Sequence, residues 1–189
     1  MFNYESSFDV TDKFRKPHNY QLIYPNLLLT KPKNIFEIGT AACGFAKFLR
    51  DNNIGEFLVG ADTKKGIIGG HISVNKEHCD LFDDFFEGNA LSQEFIDWIH
   101  KKNYMNKFDL VVDDASHTQD MQIHLIKMAD KLLSDNGVYV TEDIASYAQA
   151  KSVIKHVPES LKESAYIVDL TDSVGDPFDM CIIIDNRKL

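Results

Sequence analysis

Two places in the chain put acidic side chains where an apolar strand ends. In FDLVVDDASH, Phe108, Leu110, Val111 and Val112 read as a buried strand, and Asp113, Asp114 and then His117 follow at once. YVTEDI repeats the pattern with Glu142 and Asp143. If the two strands are neighbours, their ends lie about 4.8 Å apart. Carboxylates brought that close repel one another and raise each other's pKa. A divalent cation removes the cost, and oxygen ligands of this kind suit magnesium, calcium or manganese. Asp114, Glu142 and Asp143 are the expected ligand set. Asp113 is expected to face the opposite way, toward a cofactor, because neighbouring strand residues alternate. His117, three residues after Asp114, would come within reach of a hydroxyl held by the same ion and could take its proton as a neutral imidazole. Each acidic pair also has a plainer reading as a helix cap or a solvated loop. Two pairs and a histidine together point to chemistry.

A second set of residues gathers at other strand ends. EIGTAACG places Glu37, Gly39, Thr40 and Gly44 at a first strand-to-helix turn, where Gly39 allows a tight turn and Gly44 a close approach. Asp62 ends the next strand 23 positions after Gly39, with Thr63 beside it. An acid at that interval can accept hydrogen bonds from both hydroxyls of a ribose. EGNA ends a third strand, and its Gly88 and Asn89 complete the expected cofactor set, Asn89 against an adenine. The pattern G-x-G-x-x-G serves a pyrophosphate, which needs several bare amides at a helix start. This chain has two glycines after an acid instead. A carboxylate beside a pyrophosphate is unfavourable, whereas beside the ammonium of a methionine moiety it helps. The turn therefore favours S-adenosylmethionine over NAD, and a hydroxyl deprotonated at His117 could attack the sulfonium methyl in line. Read alone, two glycines are a plain strand–turn–helix joint.

Strands and helices must alternate to hold these groups at one edge, and the sequence supplies that order. Asn34–Ile38, Phe57–Ala61, Phe85–Gly88, Phe108–Asp113 and Val138–Ile144 read as strands. Helical stretches lie between them: AACGFAKFLRDNN, LSQEFIDWIHKK, and a run from Thr118 to Leu133 with Met121, Leu125, Met128 and Leu132 on one face. DNG (Asp135–Gly137) is expected to stop that last helix with a positive φ. AYIVDL and DMCIIID are expected to pair antiparallel at a sheet edge, with a turn around Gly175 and Pro177. The expected fold is α/β, a three-layer sandwich around a seven-stranded, mostly parallel sheet with an antiparallel C-terminal strand. One domain is expected over 1–189, with a helical arm over 1–32 ahead of a core over 33–189. Gly66–Asp84 reads as a loop with a short helix, able to act as a lid, and its His71 and His78 as solvated. In the arm, His18, Tyr20 and Tyr24 could cover the ligand or simply pack. Lys64 and Lys65 read as a solvated turn.

The 189 residues carry a net charge of −9, which disfavours a nucleic-acid partner, since a phosphate backbone would be repelled. No apolar run approaches the roughly 20 residues that cross a bilayer. The opening MFNYESSFDVTDKFRK lacks the basic-then-apolar order of a signal peptide, so no membrane partner and a cytoplasmic location are expected. Cys43, Cys79 and Cys181 are scattered and odd in number, which reads as reduced thiols. Exposed strand edges and the aromatic arm make a homodimer an expectation as well.

The stretch FDLVVDDASHTQDMQIHLIKMADKLLSDNGVYVTEDI resembles the D-D-G-S-H … G-G-x-Y-V-x-E-D segment of macrocin-type O-methyltransferases and the related cephalosporin hydroxylase-like proteins. TDKFRKPHNYQLIYPNLL resembles their T-D-K-G … H-x-Y-x-x-x-Y element, and NIFEIGTAACGFAKFL their first motif. The resemblance covers roughly residues 10 to 145. Ala115, Asn136 and Asn89 depart from the residues common in the family. The resemblance implies a Rossmann-like class I fold, S-adenosylmethionine, and a magnesium-assisted methylation of a small-molecule hydroxyl, often on a sugar. By motif it implies Asp114, Glu142 and Asp143 as metal ligands and His117 as the base. The competing readings are a methyltransferase that needs no metal or acts on nitrogen, and a non-catalytic or partner-dependent binder of adenosyl ligands. An NAD-dependent oxidoreductase is disfavoured by Glu37 and the missing third glycine.

Overall fold

Alternation along the central strands sends successive side chains into two separate cores. The computed structural model describes residues 2–3, 11, 13–14, 18–63, 80–171 and 180–188. In strands β1 (Asn34–Ile38) and β4 (Phe108–Asp113), Phe36, Ile38 and Val111 enter one cluster, while Ile35, Leu110 and Val112 enter the other. Strand β5 (Leu133–Ile144) divides likewise, with Tyr139 on the first side and Val138 and Val140 on the second. Strands this apolar on both faces need helices on both sides. Helix α3 (Gln93–Lys101) contributes Phe95 and Ile99 to the first core. Helix α1 (Tyr24–Leu28) and helix α2 (Gly44–Asp51) supply Tyr24, Leu27, Phe45 and Phe48 to the second. The N-terminal arm therefore lies on the face that Val138 and Val140 also use.

With β2 (Phe57–Asp62), β3 (Asp84–Glu87), β6 (Ala165–Asp169) and β7 (Met180–Asp185), the seven strands run in the order β3-β2-β1-β4-β5-β7-β6. The pairs from β3 to β5 are parallel; β7 is antiparallel to both β5 and β6. The expected seven-stranded sheet with its closing antiparallel hairpin is thus the observed one. The chain leaves β1 toward β2 and β3, then returns to lay β4 on the other side of β1. Such a reversal opens a crevice beyond the carboxyl ends of the two central strands. Registers set its floor: Ile38 pairs with Asp113, and Asp113 with Thr141.

Three expectations change. The single helix over 118–133 is two, α4 (Gln119–Ile126) and α5 (Ala129–Leu132). Leu133 pairs with Phe108 and starts β5, so sheet pairing overrides the helical periodicity there. DNG consequently lies inside β5 instead of ending a helix, and neither Asn136 nor Gly137 has a positive φ. Gly137 serves close approach: a Cβ there would stand 2.7 Å from the Phe108 carbonyl. Among its described residues the arm carries one 3₁₀ turn (Tyr20–Leu22) and the five-residue α1. Cys43 is disulfide-bonded, against the expectation of reduced thiols, while Cys181 is a buried thiol. Residues 64–79, with Lys64, Lys65, His71, His78 and most of the suggested lid, lie outside the described residues, as does the turn at Gly175 and Pro177. No described helix is long and apolar enough to cross a membrane.

Candidate active site

The carboxyl edge of the sheet brings the two acidic pairs together by two different devices. Asp114 lies one residue past β4, and its N–H donates to the Ile38 carbonyl at 2.8 Å, tying the end of β4 to β1. Glu142 keeps the parity of Val138 and Val140, so it faces the arm. Asp143 would then point away, but the register against β7 shifts between Thr141 and Ile144, and Asp143 adopts φ +52°. A bulge of this kind re-aims a side chain, and it turns two consecutive acids toward one site. Tyr20 holds the unusual backbone: its hydroxyl donates to Asp143 Oδ1 at 2.6 Å and accepts from the Asp143 N–H at 2.8 Å. Buried Gln122 donates to the Glu142 carbonyl at 3.1 Å, bracing the bulge from the other side.

The expected ligands do gather, yet a cation from the protein itself is among them. Lys13 Nζ donates to both Asp114 Oδ2 and Glu142 Oε2. Tyr24 donates its hydroxyl to Glu142 Oε1 at 2.6 Å. His117 Nε2 lies 3.4 Å from Asp114 Oδ1 and 3.3 Å from Asp143 Oδ2. Among the described residues, the atoms that converge closely enough to share an ion belong to Asp114, His117 and Asp143, all within 4.8 Å of one another. Glu142 stands beside this group, engaged by Lys13 and Tyr24.

Burial and charge tune these groups strongly. Burial pushes Glu142 up to about 7, even against the pull of Lys13. Burial opposes charge on Asp114 as well, but Lys13 and His117 hold it below the usual carboxylate range. Asp143 is raised by burial and by the charge of Asp114. Burial works against the Lys13 ammonium, and the carboxylates of Asp114, Glu142 and Glu37 outweigh it, holding the amine charged. His117 is raised by its hydrogen bond to Asp114, with Asp143 adding to the effect against partial burial.

Beside the cluster lies a cavity of about 340 Å³ lined by Gly39, Asp62, Thr63, Gly88, Asp114 and Met121 among others. That volume is within the range of small-molecule sites, ~300–1,000 Å³. Gly39 makes its wall: at φ +87° its Cβ would fall 2.1 Å from the Asp114 carbonyl oxygen, so the turns after β1 and β4 touch backbone to backbone. Asp62 organises the same turn by accepting from the N–H groups of Thr40 (2.9 Å) and Ala41 (3.0 Å), with the Thr63 N–H on its other oxygen at 2.6 Å. The hydroxyls of Thr40 and Thr63 lie on the same two oxygens at 3.5 and 3.2 Å, so a ligand hydroxyl would take the place of these longer contacts.

Other expected cofactor residues sit differently. Asn89 does not line the cavity; its Oδ1 accepts the Leu91 N–H at 2.9 Å and closes the turn before α3. Gly44 begins α2, away from the cavity lining. Glu37 and Asp113 are buried, each with one carboxyl oxygen that has no hydrogen-bond partner, and burial raises both. Asp113 shares the parity of Val111, on the face of the first core, which also supplies Ile38, Ala61, Ala90 and Met121 to the cavity lining. Lys13, Gln122, Ser116 and Met121 are site neighbours that the sequence reading did not single out. Lys13 lay inside the quoted TDK element, and with Arg15 and Lys16 close behind it nothing marked it out among the cations there. Met121 was read as helix core, although a helix starting after the fourth strand must begin at the crevice.

No protein-family model matches the sequence, and no curated protein does. Solved structures share its fold. MycE methyltransferase from the mycinamycin biosynthetic pathway, in complex with Mg and SAH, superposes with a TM-score of 0.64 at 20% identity over 96% of this chain and 53% of that one. An O-methyltransferase from Bacillus cereus in complex with SAH gives 0.63 at 18% identity, over 94% and 84%. Spermidine synthase from Thermotoga maritima gives 0.58 at 16%, over 87% and 57%. The expected Rossmann-like fold is therefore the fold of this chain, which spans about half the length of the MycE chain.

Proposed function

We propose that the chain is an S-adenosylmethionine-dependent O-methyltransferase, assisted by a divalent cation such as Mg²⁺, acting on a hydroxyl of a small molecule, a sugar among the candidates. The observation that carries the reading is the convergence of Asp114, Asp143 and His117 at the rim of a cavity walled by Gly39, Asp62 and Gly88. The residues fit both groups. Asp62 and the bare Gly39 and Gly88 backbone suit an adenosyl ligand, and the unpartnered Glu37 Oε2 is a buried acceptor awaiting a donor. Asp114, Glu142 and Asp143 supply the oxygen donors that a hard cation takes. The neighbours support the pairing, since MycE binds Mg and SAH in its structure, and also mycinamycin VI.

In this reading Asp62 fixes the ribose and Gly39 lets the ligand close against the strand end. A bound divalent ion would lower the pKa of the acceptor hydroxyl and orient it. His117 receives the hydroxyl proton. The oxygen's electron pair forms the new C–O bond, and the pair of the breaking S–C bond stays on sulfur as a neutral thioether. Asp114 and Asp143 hold the imidazole and stabilise the imidazolium once it is protonated.

One observation favours a second reading. Lys13 already neutralises Asp114 and Glu142, which is the arrangement a metal-independent methyltransferase would use. Calorimetry with SAH and transfer of labelled methyl to a panel of hydroxyl compounds, with and without EDTA, distinguish them. The proposal expects SAH binding and EDTA-sensitive transfer. Transfer indifferent to EDTA selects the second reading, and SAH that fails to bind removes both.

A further inference from the structure

We infer that Lys13 is a built-in competitor for the divalent cation: its ammonium and a metal ion exclude one another from Asp114 and Glu142. The inference builds on the metal-assisted reading above. Its ground is that every oxygen of the three carboxylates is committed. Lys13 takes Asp114 Oδ2 and Glu142 Oε2, Tyr24 takes Glu142 Oε1, Tyr20 takes Asp143 Oδ1, and His117 faces the remaining two. A hard cation needs such oxygens as direct ligands, and a buried ammonium sharing two of them would be repelled at close range in a medium of low dielectric.

The two states differ in what they leave free. With Lys13 seated, the converging group is Asp114, Asp143 and the imidazole of His117, so an ion held there would take up the nitrogen that proton transfer needs. With Lys13 withdrawn, Asp114 Oδ2 and Glu142 Oε2 are released, an all-oxygen set is available, and His117 is spared. Withdrawal need involve only the side chain. The adjacent Phe14 is buried against the rings of Tyr24, Phe45 and Phe48, with centroids 5.7, 6.3 and 4.3 Å away, contacts that do not depend on the ammonium. The same anchorage allows Lys13→Met to keep the arm docked. Lys13 thus holds the carboxylates together before the ion arrives, and keeps stray cations out.

The test uses Mn²⁺ as the probe. Free Mn²⁺ measured by electron paramagnetic resonance should give Lys13→Met an affinity about tenfold or more above wild type, because the ion no longer displaces a buried ion pair. In wild type, acetylation of Lys13 read by mass spectrometry should be slow without Mn²⁺ and fast when it is saturating. Equal or weaker Mn²⁺ binding by a folded Lys13→Met, or Lys13 labelling that ignores Mn²⁺, overturns the competition and leaves metal assistance standing. If neither protein binds Mn²⁺, metal assistance itself fails and the competition falls with it. Should Lys13→Met not fold, the wild-type labelling decides alone.

Discussion

At the scale of single residues the account turns on His117 and Asp114. The imidazole is held above its ordinary 6.5 by Asp114 and Asp143. NMR titration of the metal-free protein is expected to place His117 above 6.5, and Asp114→Asn to bring it back toward that value; a wild-type value at or below 6.5 would refute the pairing. The linked stability has a definite sign. A histidine whose folded pKa is raised contributes stability that is fully present below 6.5 and is lost as pH rises through the folded value. Urea unfolding of His117→Gln should therefore show its deficit at acidic pH and converge on wild type in alkali. For the reaction, His117→Ala should lower kcat by about 10²–10⁴ while leaving SAH affinity unchanged. Asp114→Ala should abolish the response to metal and keep SAH binding. A parent whose methyl transfer is unchanged by chelator would show that the ion has no role.

At the scale of elements, what positions the acids is a turn and a bulge. Gly39→Ala would drive a Cβ into the backbone after β4 from a positive φ. A loss of about 2 kcal/mol or more in unfolding free energy, with weakened SAH binding, is expected; an unchanged denaturation midpoint would contradict the close approach. Tyr20→Phe strips Asp143 of two hydrogen bonds at a left-handed residue, with an expected cost of about 1–3 kcal/mol, against almost none for exposed Tyr166→Phe. The strands were legible because their apolar runs feed two cores, and the acids stood out by contrast with those runs. The bulge was not legible. Nothing in VTEDI says that Asp143 will break alternation, because Tyr20, which holds it there, is 123 positions away in the N-terminal arm. The helix break before Leu133 was hidden for a similar reason, its periodicity being overruled by pairing with Phe108.

At the scale of the whole molecule, the order β3-β2-β1-β4-β5-β7-β6 puts the groups with chemistry at one edge, and the reversal between β1 and β4 makes room for a ligand there. This much followed from the alternation of strands and helices. The function does not follow from the fold, since spermidine synthase shares it; it comes from the side chains that this chain sets at the crevice. The sequence marked the acids and His117 but not Lys13, because a lysine in an aromatic arm carries no sign of where the arm will dock. A crystal of the protein with SAH and Mn²⁺, recorded at the manganese edge, bears most directly on the site as a whole. The expected map has an anomalous peak bounded by Asp114, Glu142 and Asp143, with SAH lying along Gly39, Asp62 and Gly88. SAH elsewhere, or a peak remote from those carboxylates, would contradict it.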